Sequence, residues 1–180
     1  MRIIAGKYRG KKLFSPVSEM VRPTSDRARE SIFNILKSKY GRDFSGLKLL
    51  DIFAGTGAFG LEALSQGFDE VYLIDLDTSS LLKNTALFKG EKFTILKADA
   101  TKLPKAPAVF DIVFMDAPYH KGLSERTLES LLVQGWISSN SLIIIETEKR
   151  EPLAISEEFE TINERVYGLA KFVFLKVLSL

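Results

Sequence analysis

The chain has 180 residues, 46% of them hydrophobic and 27% charged, with a net charge of +2, a single histidine (His120) and no cysteine. These are the proportions of one soluble globular domain; they exclude a disulfide framework, a thiolate zinc site and a cysteine nucleophile, and a lone histidine argues against a multi-histidine metal centre or a serine-histidine triad. No run reaches the roughly 18 apolar residues of a membrane span and Met1 to Lys7 lacks a secretion-signal core, so a cytoplasmic protein without membrane or metal is expected.

The charge is divided unevenly. Residues 1–42 hold 11 Lys+Arg against 3 Asp+Glu and residues 43–180 hold 14 against 20, so +8 meets −6 and together they give the net +2. This pattern marks 1–42 as a basic N-terminal extension that meets a polyanion and 43–180 as a mildly acidic body with other work; a solvated basic face is the plain alternative. In the extension, Arg2-Ile3-Ile4 and Lys7-Tyr8-Arg9-Gly10-Lys11-Lys12-Leu13 alternate apolar and basic residues, as a small hairpin or extended arm over 1–22 would. Arg22-Pro23-Thr24-Ser25-Asp26 suits a helix start, and Ala28, Ile32, Ile35 and Leu36 then recur at helical spacing. A helix over about 24–39 follows, with Arg27 and Arg29 beside its apolar stripe, before a break from Gly41 to Gly46.

From there short apolar runs alternate with helical stretches, the pattern of βαβ units and a parallel sheet. The runs are Leu47 to Phe53, Val71 to Asp75, Phe93 to Leu96, Ile112 to Asp116 and Leu142 to Glu146, with helices near 58–67, 78–89 and 124–134. Thr161 to Tyr167 and Ala170 to Val177 meet at Gly168 as an antiparallel pair on the sheet edge. The expected fold is a doubly wound α/β domain with a mostly parallel seven-stranded sheet and an antiparallel C-terminal hairpin.

Leu49 to Gly60 reads as a strand, a turn with Gly55 and Gly57, and a helix. Glycines let the backbone turn sharply and a ligand approach without a Cβ in the way. Asp75 closes the next strand 20 residues after Gly55, where a carboxylate accepts hydrogen bonds from ribose hydroxyls. Alone, this motif fits a nicotinamide dinucleotide equally well, or a turn with no ligand. Asp51, just before the turn, favours another ligand: a carboxylate there repels a pyrophosphate but suits an amino group and a sulfonium, hence S-adenosylmethionine. Asp99, in Lys97-Ala98-Asp99-Ala100, falls at the same sheet edge and is expected to accept from an adenine amine. Three carboxylates at successive strand ends are costly to bury without partners, which a cofactor bearing matching donors supplies; the alternative is that each caps a helix.

The fourth strand ends in Asp116-Ala117-Pro118-Tyr119. An acid, a proline and an aromatic in this order can read a flat ring with an amino group, which stacks on Tyr119 while Asp116 and the carbonyl of Ala117 accept its N–H. An exocyclic base amine is a weak nucleophile, so acceptors that polarise and orient it are useful. A simple turn is the competing reading.

These motifs resemble those of class I S-adenosylmethionine methyltransferases with a Rossmann-like fold, and in particular the RsmD family of bacterial 16S ribosomal RNA guanine-N2 methyltransferases. The resembling stretches are Arg2-Ile3-Ile4-Ala5-Gly6, Arg9 to Leu13, Arg22 to Arg27, Arg29-Glu30, Phe33-Asn34, Asp51 to Ser65 and Gly135-Trp136. The resemblance implies methyl transfer to a guanine N2 in 16S rRNA, within an assembled or assembling small subunit, by a monomer. Asp116, Ala117, Pro118 and Tyr119 would be the catalytic set; Asp51, Phe53, Gly55, Gly57, Asp75, Asp99 and Ala100 would bind the cofactor; Arg2, Lys7, Arg9, Lys11, Lys12, Arg22 and Arg27 would contact RNA. Two departures stand out. Ala117 replaces the first proline of the family's Asp-Pro-Pro-aromatic motif, which bears on the rigidity of the target pocket. Asp75 replaces a longer Glu, so the ribose contact is expected to need a water or a small shift.

An adenine-N6 or cytosine-N4 methyltransferase, a non-catalytic RNA-binding assembly factor and a nicotinamide oxidoreductase are the rival readings. Other residues read plainly: His120 as an exposed loop residue, Trp136 as a packing anchor, Phe172 and Phe174 as core, and Glu146 and Glu148, beyond the fifth strand, as solvent-exposed, with a place at the border of the site as the alternative.

Overall fold

Strands that are hydrophobic on both faces require cover on both, and the chain provides it with helices on either side of one sheet. The computed structural model describes residues 1–15 and 25–178. Its strands are β1 (Lys48–Ile52), β2 (Glu70–Asp75), β3 (Phe93–Lys97), β4 (Ile112–Asp116), β5 (Leu142–Glu148), β6 (Phe159–Tyr167) and β7 (Ala170–Val177), in the order β3-β2-β1-β4-β5-β7-β6. The first five run parallel; β7 lies antiparallel between β5 and β6. The order reverses between β1 and β4, and a crevice opens at the carboxyl ends of strands on either side of such a reversal.

Leu49, Val71, Ile112, Phe114 and Ile144 pack on one face with Ile32, Phe33 and Leu36 of helix α1 (Asp26–Tyr40), Leu61 and Leu64 of α2 (Ala58–Ser65) and Leu81 of α3 (Ser79–Thr85). Leu50, Ile52, Val113, Met115 and Ile143 pack on the other with Leu128 and Leu131 of α4 (Leu123–Val133) and with Trp136. Trp136 stacks on Phe110 at 5.6 Å and donates its Nε1 proton to the Pro104 carbonyl at 2.8 Å, the packing anchor expected; Phe172 and Phe174 are buried as expected too. Among the described residues no helix is long and apolar enough to cross a membrane.

Three boundaries differ from the sequence reading. The expected helix over 78–89 stops at Thr85, where Leu87 and Phe88 donate to the carbonyls three residues back and tighten the chain into a turn. The short 3-10 turn Ala100–Lys102 was not foreseen. Strand β5 continues to Glu148, and Glu146 is buried rather than solvent-exposed, because it pairs with Asp116 of β4 on one side and Phe172 of β7 on the other.

The N-terminal segment is, among the described residues, a tight loop with a single bridge, between Arg2 and Lys12, in place of a regular hairpin over 1–22; residues 16–22 of that range lie outside the described residues. Ile3 and Leu13 are buried in the same core as α1 and α2. Polar bonds hold the loop to α2: Ile4 and Ala5 donate their N–H to the Glu62 carboxylate at 2.8 and 2.9 Å, Tyr8 N–H donates to Ser65 Oγ at 2.9 Å, and Lys7 N–H to the Ser65 carbonyl at 2.8 Å. A Cβ on Gly6, which has φ +79°, would lie 1.8 Å from that carbonyl, so only glycine permits this contact.

Candidate active site

A cavity of about 760 Å³ opens at the carboxyl ends of β1, β2, β3 and β4. It brings together Asp51, Phe53, Gly55, Asp75, Asp99 and Ala100 with Asp116, Ala117, Pro118 and Tyr119. Gly57 is not part of its wall: at φ +77° it turns the chain into α2, and a Cβ there would meet Leu81 Cδ2 at 2.7 Å.

The glycine turn is shaped by the carboxylates beside it. Asp75 Oδ2 accepts from Gly55 N–H at 2.8 Å, and its Oδ1 accepts from Asp77 N–H at 3.0 Å. Asp51 Oδ2 accepts from Gly60 N–H, in the first turn of α2, at 2.9 Å. Burial, opposed by that hydrogen bond and reinforced by the charge of Asp75, pushes the Asp51 carboxyl up to about 7. Asp99 caps the Ala100–Lys102 turn, accepting from the hydroxyl and N–H of Thr101 at 2.7 and 2.9 Å, which hold it below the usual carboxylate range. A Cβ on Gly55 would meet no protein atom nearer than the Phe53 carbonyl at 4.0 Å. Its space is left to a ligand, and a wall of carboxylates suits one rich in N–H, O–H and positive charge.

At the other end, Asp116 is the last residue of β4 and its exposure is to the cavity, with protein on its remaining sides. Desolvation, then the charges of Glu146 and Asp51, hold its carboxyl well above the usual range. Ala117 is buried, Pro118 exposed and Tyr119 half-buried. Tyr119 also borders a second cavity, of about 240 Å³, whose wall includes Glu146, Glu148, Tyr167 and Ser25. Glu146, read from the sequence as solvent-exposed with a place at the site's border as the alternative, is buried beside Asp116. His120 is exposed as expected, with Nε2 at 2.6 Å from Glu148.

Arg29 was missed as a site residue. The residue borders the larger cavity, and its guanidinium is buried 3.6 Å from Glu62. Arg29, Ile32, Phe33 and Leu36 recur at helical spacing, which places Arg29 on the inward stripe of α1.

The basic residues of the extension fall into two sets. Arg2 pairs with Asp26 at 3.6 Å, Lys7 Nζ with Glu91 at 2.5 Å, and Lys11 Nζ donates to the Leu87 carbonyl at 2.5 Å while lying over the Tyr8 ring. Arg9, Lys12 and Arg27 are exposed; Arg22 lies outside the described residues.

Relatives share this architecture. The family described as Conserved hypothetical protein 95 matches residues 1–176. Ribosomal RNA small subunit methyltransferase D of Haemophilus influenzae is 36% identical over 180 aligned residues, covering 96% of this chain and 91% of its own. Its Escherichia coli namesake is 36% identical over 173, covering 93% and 85%. The solved structure of the putative methyltransferase yhhF from Escherichia coli matches with a TM-score of 0.82 and 33% identity, over 100% of this chain and 99% of that one. The mostly parallel sheet with its reversed edge and the family match along nearly the whole chain agree: the chain belongs to the RsmD family, that of Conserved hypothetical protein 95.

Proposed function

We propose that the protein transfers the methyl group of S-adenosylmethionine to the exocyclic N2 amine of a guanine in 16S ribosomal RNA, presented by an assembled or assembling small subunit. The names of its relatives support the RNA class. The observation that carries the choice of base is the pairing of Asp116, the last residue of β4, with Glu146 of the adjacent β5. Guanine has two neighbouring N–H donors on its Watson–Crick edge, N1–H and N2–H, where adenine and cytosine each have an acceptor beside their amine. Two adjacent carboxylates match guanine and clash with the other two.

In this mechanism Asp75 takes the ribose hydroxyls, Asp99 and the Ala100 backbone the adenine, and Asp51, Phe53 and Gly55 the amino-acid end of the cofactor, while Gly57 sets the turn from behind. When bound, S-adenosylmethionine supplies the electrophilic methyl on its sulfonium. RNA bases within an A-form helix are out of reach, so the target is an unpaired or splayed-out nucleotide. The base stacks on Tyr119, held by Pro118. Asp116 and the Ala117 carbonyl accept the N2 protons and aim the nitrogen for in-line attack, and Asp116 or water takes the proton released after transfer. Arg2, Lys7, Arg9, Lys11, Lys12, Arg22 and Arg27 neutralise phosphates around the target. The protein works as a cytoplasmic monomer.

The test is incubation with labelled S-adenosylmethionine and undermodified small-subunit particles, then digestion and identification of the labelled nucleoside. N2-methylguanosine is expected. A methylated adenosine or cytidine overturns the choice of base, and no labelled product overturns the activity.

A further inference from the structure

Phe14 stands where the N-terminal loop leaves the core. Leu13 before it is buried and Ser15 after it borders the larger cavity, but Phe14 itself is left 46% exposed. Its main chain is nonetheless fixed. Asn84 of α3, fully buried, accepts the Phe14 N–H at 2.7 Å, donates to the Phe14 carbonyl at 3.0 Å and donates to the Thr56 carbonyl of the glycine turn at 2.8 Å. One buried amide therefore ties Phe14 to a residue of the cavity wall. Burial of a phenylalanine is favourable, and a held backbone that leaves the ring half in water forgoes part of that gain.

The surroundings of the ring are basic. Lys83 Nζ lies 4.4 Å from its centroid, and Lys12 precedes it by two residues. Both lysines are exposed, and neither pairs with an acid within 4.0 Å among the described residues. Glu91, the acid the loop does meet, is taken by Lys7 Nζ at 2.5 Å and the Tyr8 hydroxyl at 2.7 Å. A lone apolar residue on a surface means little. An aromatic ring held in place among cations that lack acids has the composition of a single-strand platform, where a base stacks on the ring and the cations take phosphates. The cations call for an anionic partner and the ring for one with flat faces; a nucleotide has both.

We infer that Phe14 and Lys83 form a platform for an unpaired nucleotide of the RNA substrate, other than the one that is methylated. This rests on the RNA reading above. The base lies on the Phe14 ring, and Lys83, exposed and on a long flexible stem, turns its ammonium to that nucleotide's phosphate. The RNA surface then extends past residues 1–42 onto α3. Because Asn84 holds Phe14 and Thr56 together, a strand stacked on the ring is registered against the cavity, and little order is lost in presenting the ring.

Titration of a labelled, short single-stranded RNA of mixed sequence with the full chain, followed by fluorescence anisotropy at several salt concentrations, tests this. Phe14→Ala should weaken binding about fivefold or more, as loss of one base–aromatic stack implies, with its logarithmic salt slope unchanged. Lys83→Gln should lower that slope by about 0.7, the share of one phosphate contact. Phe14→Trp should bind like the parent, and RNA should quench its fluorescence, a signal that the buried Trp136 does not give in the parent. Circular dichroism establishes that the variants are folded. Parental RNA affinity in folded Phe14→Ala, an unaltered slope in Lys83→Gln, or a Phe14→Trp fluorescence indifferent to RNA overturns the inference. If Phe14→Ala weakens binding to undermodified small-subunit particles but not to the free RNA, the ring meets a protein of the particle and the inference is overturned too. Failure of the parent to bind the RNA at all removes the RNA reading itself, and this inference with it.

Discussion

Asp116 and Glu146 stand in register as the last pair of the β4–β5 ladder, and the charge on Glu146, added to burial, makes Asp116 hard to ionise. The ionised carboxylate is the stronger acceptor for the base's N–H groups and the only form able to take the released proton, so methyl transfer should rise with pH through a titration above the ordinary carboxylate range. Glu146→Gln removes a negative neighbour and lowers the Asp116 titration, so the profile should move to lower pH. Single-turnover rates of parent and variant across pH measure this. Identical profiles would place the rate-controlling titration on another group.

Asp51 has the opposite relation to folding from a salt-bridged acid. Its carboxyl is pushed up from 3.8 to about 7 in the folded protein, so the folded state binds the extra proton. Its contribution to stability is present at low pH and is lost as pH rises through about 4 to about 7, by at most about 1.4 kcal/mol per pH unit. Asp51→Asn should flatten that decline. Urea unfolding midpoints at several pH values are the measurement, and an unchanged slope would show that Asp51 is ionised without cost.

Asp75→Ala removes the acceptor for Gly55 and the proposed ribose contact together. Loss of a charged acceptor costs about 1.5 to 3 kcal/mol, so affinity for S-adenosylmethionine should fall roughly tenfold or more with the fold intact. Calorimetry with a circular dichroism control reads it; parental affinity in the variant would remove Asp75 from the cofactor site.

Glu62→Ala strips the acceptor from Ile4 and Ala5 and removes the buried one of the two acids beside Arg29, leaving it only the half-buried Asp26. Breaking a buried pair on one side costs about 3 to 5 kcal/mol. Chemical denaturation should show a loss of that size, and a change under about 1 kcal/mol would mean that the N-terminal loop carries little of the stability.

Lys7 and Lys11 are held by Glu91 and the Leu87 carbonyl, whereas Arg9 and Lys12 are exposed. Replacing Arg9 and Lys12 by Ala should weaken RNA binding and lower its logarithmic salt slope by about 0.7 to 0.9 per lost phosphate contact. Affinity for S-adenosylmethionine should stay as it was. Binding at several salt concentrations decides; an unaltered slope would return these side chains to the solvated surface.

The sheet was legible because its strands are short apolar runs separated by longer helical stretches, and run length together with the flanking turn residues tells these apart. Leu142 to Ile145 announce a buried strand whatever lies beside them. Glu146 was misread because a glutamate after such a run usually marks the surface; what buries it is Phe172, 26 residues downstream and brought alongside by an antiparallel return. Arg29 hid for a similar reason. Its spacing matches the apolar stripe, but an arginine on a stripe is expected to turn its head to water unless an acid waits inside, and Glu62 belongs to another helix. Asp99 shows a different limit: acceptor for a ligand and cap for a turn use the same residue type at the same strand end, and its bonds to Thr101 are those of a cap.

The bonds from the N-terminal loop to α2 and to Glu91 span 57, 58 and 84 residues of sequence. During synthesis the loop therefore leaves the ribosome well before the residues that receive it, and it stays undocked until β1, α2, β2 and α3 have been made. Contacts so distant along the chain close late, since the entropy of the intervening loop must be lost before they form. The loop, made before its partners, is thus among the last segments to settle. In refolding, protection of the Ile4 and Ala5 amides from hydrogen exchange would time the moment when the arm joins the sheet.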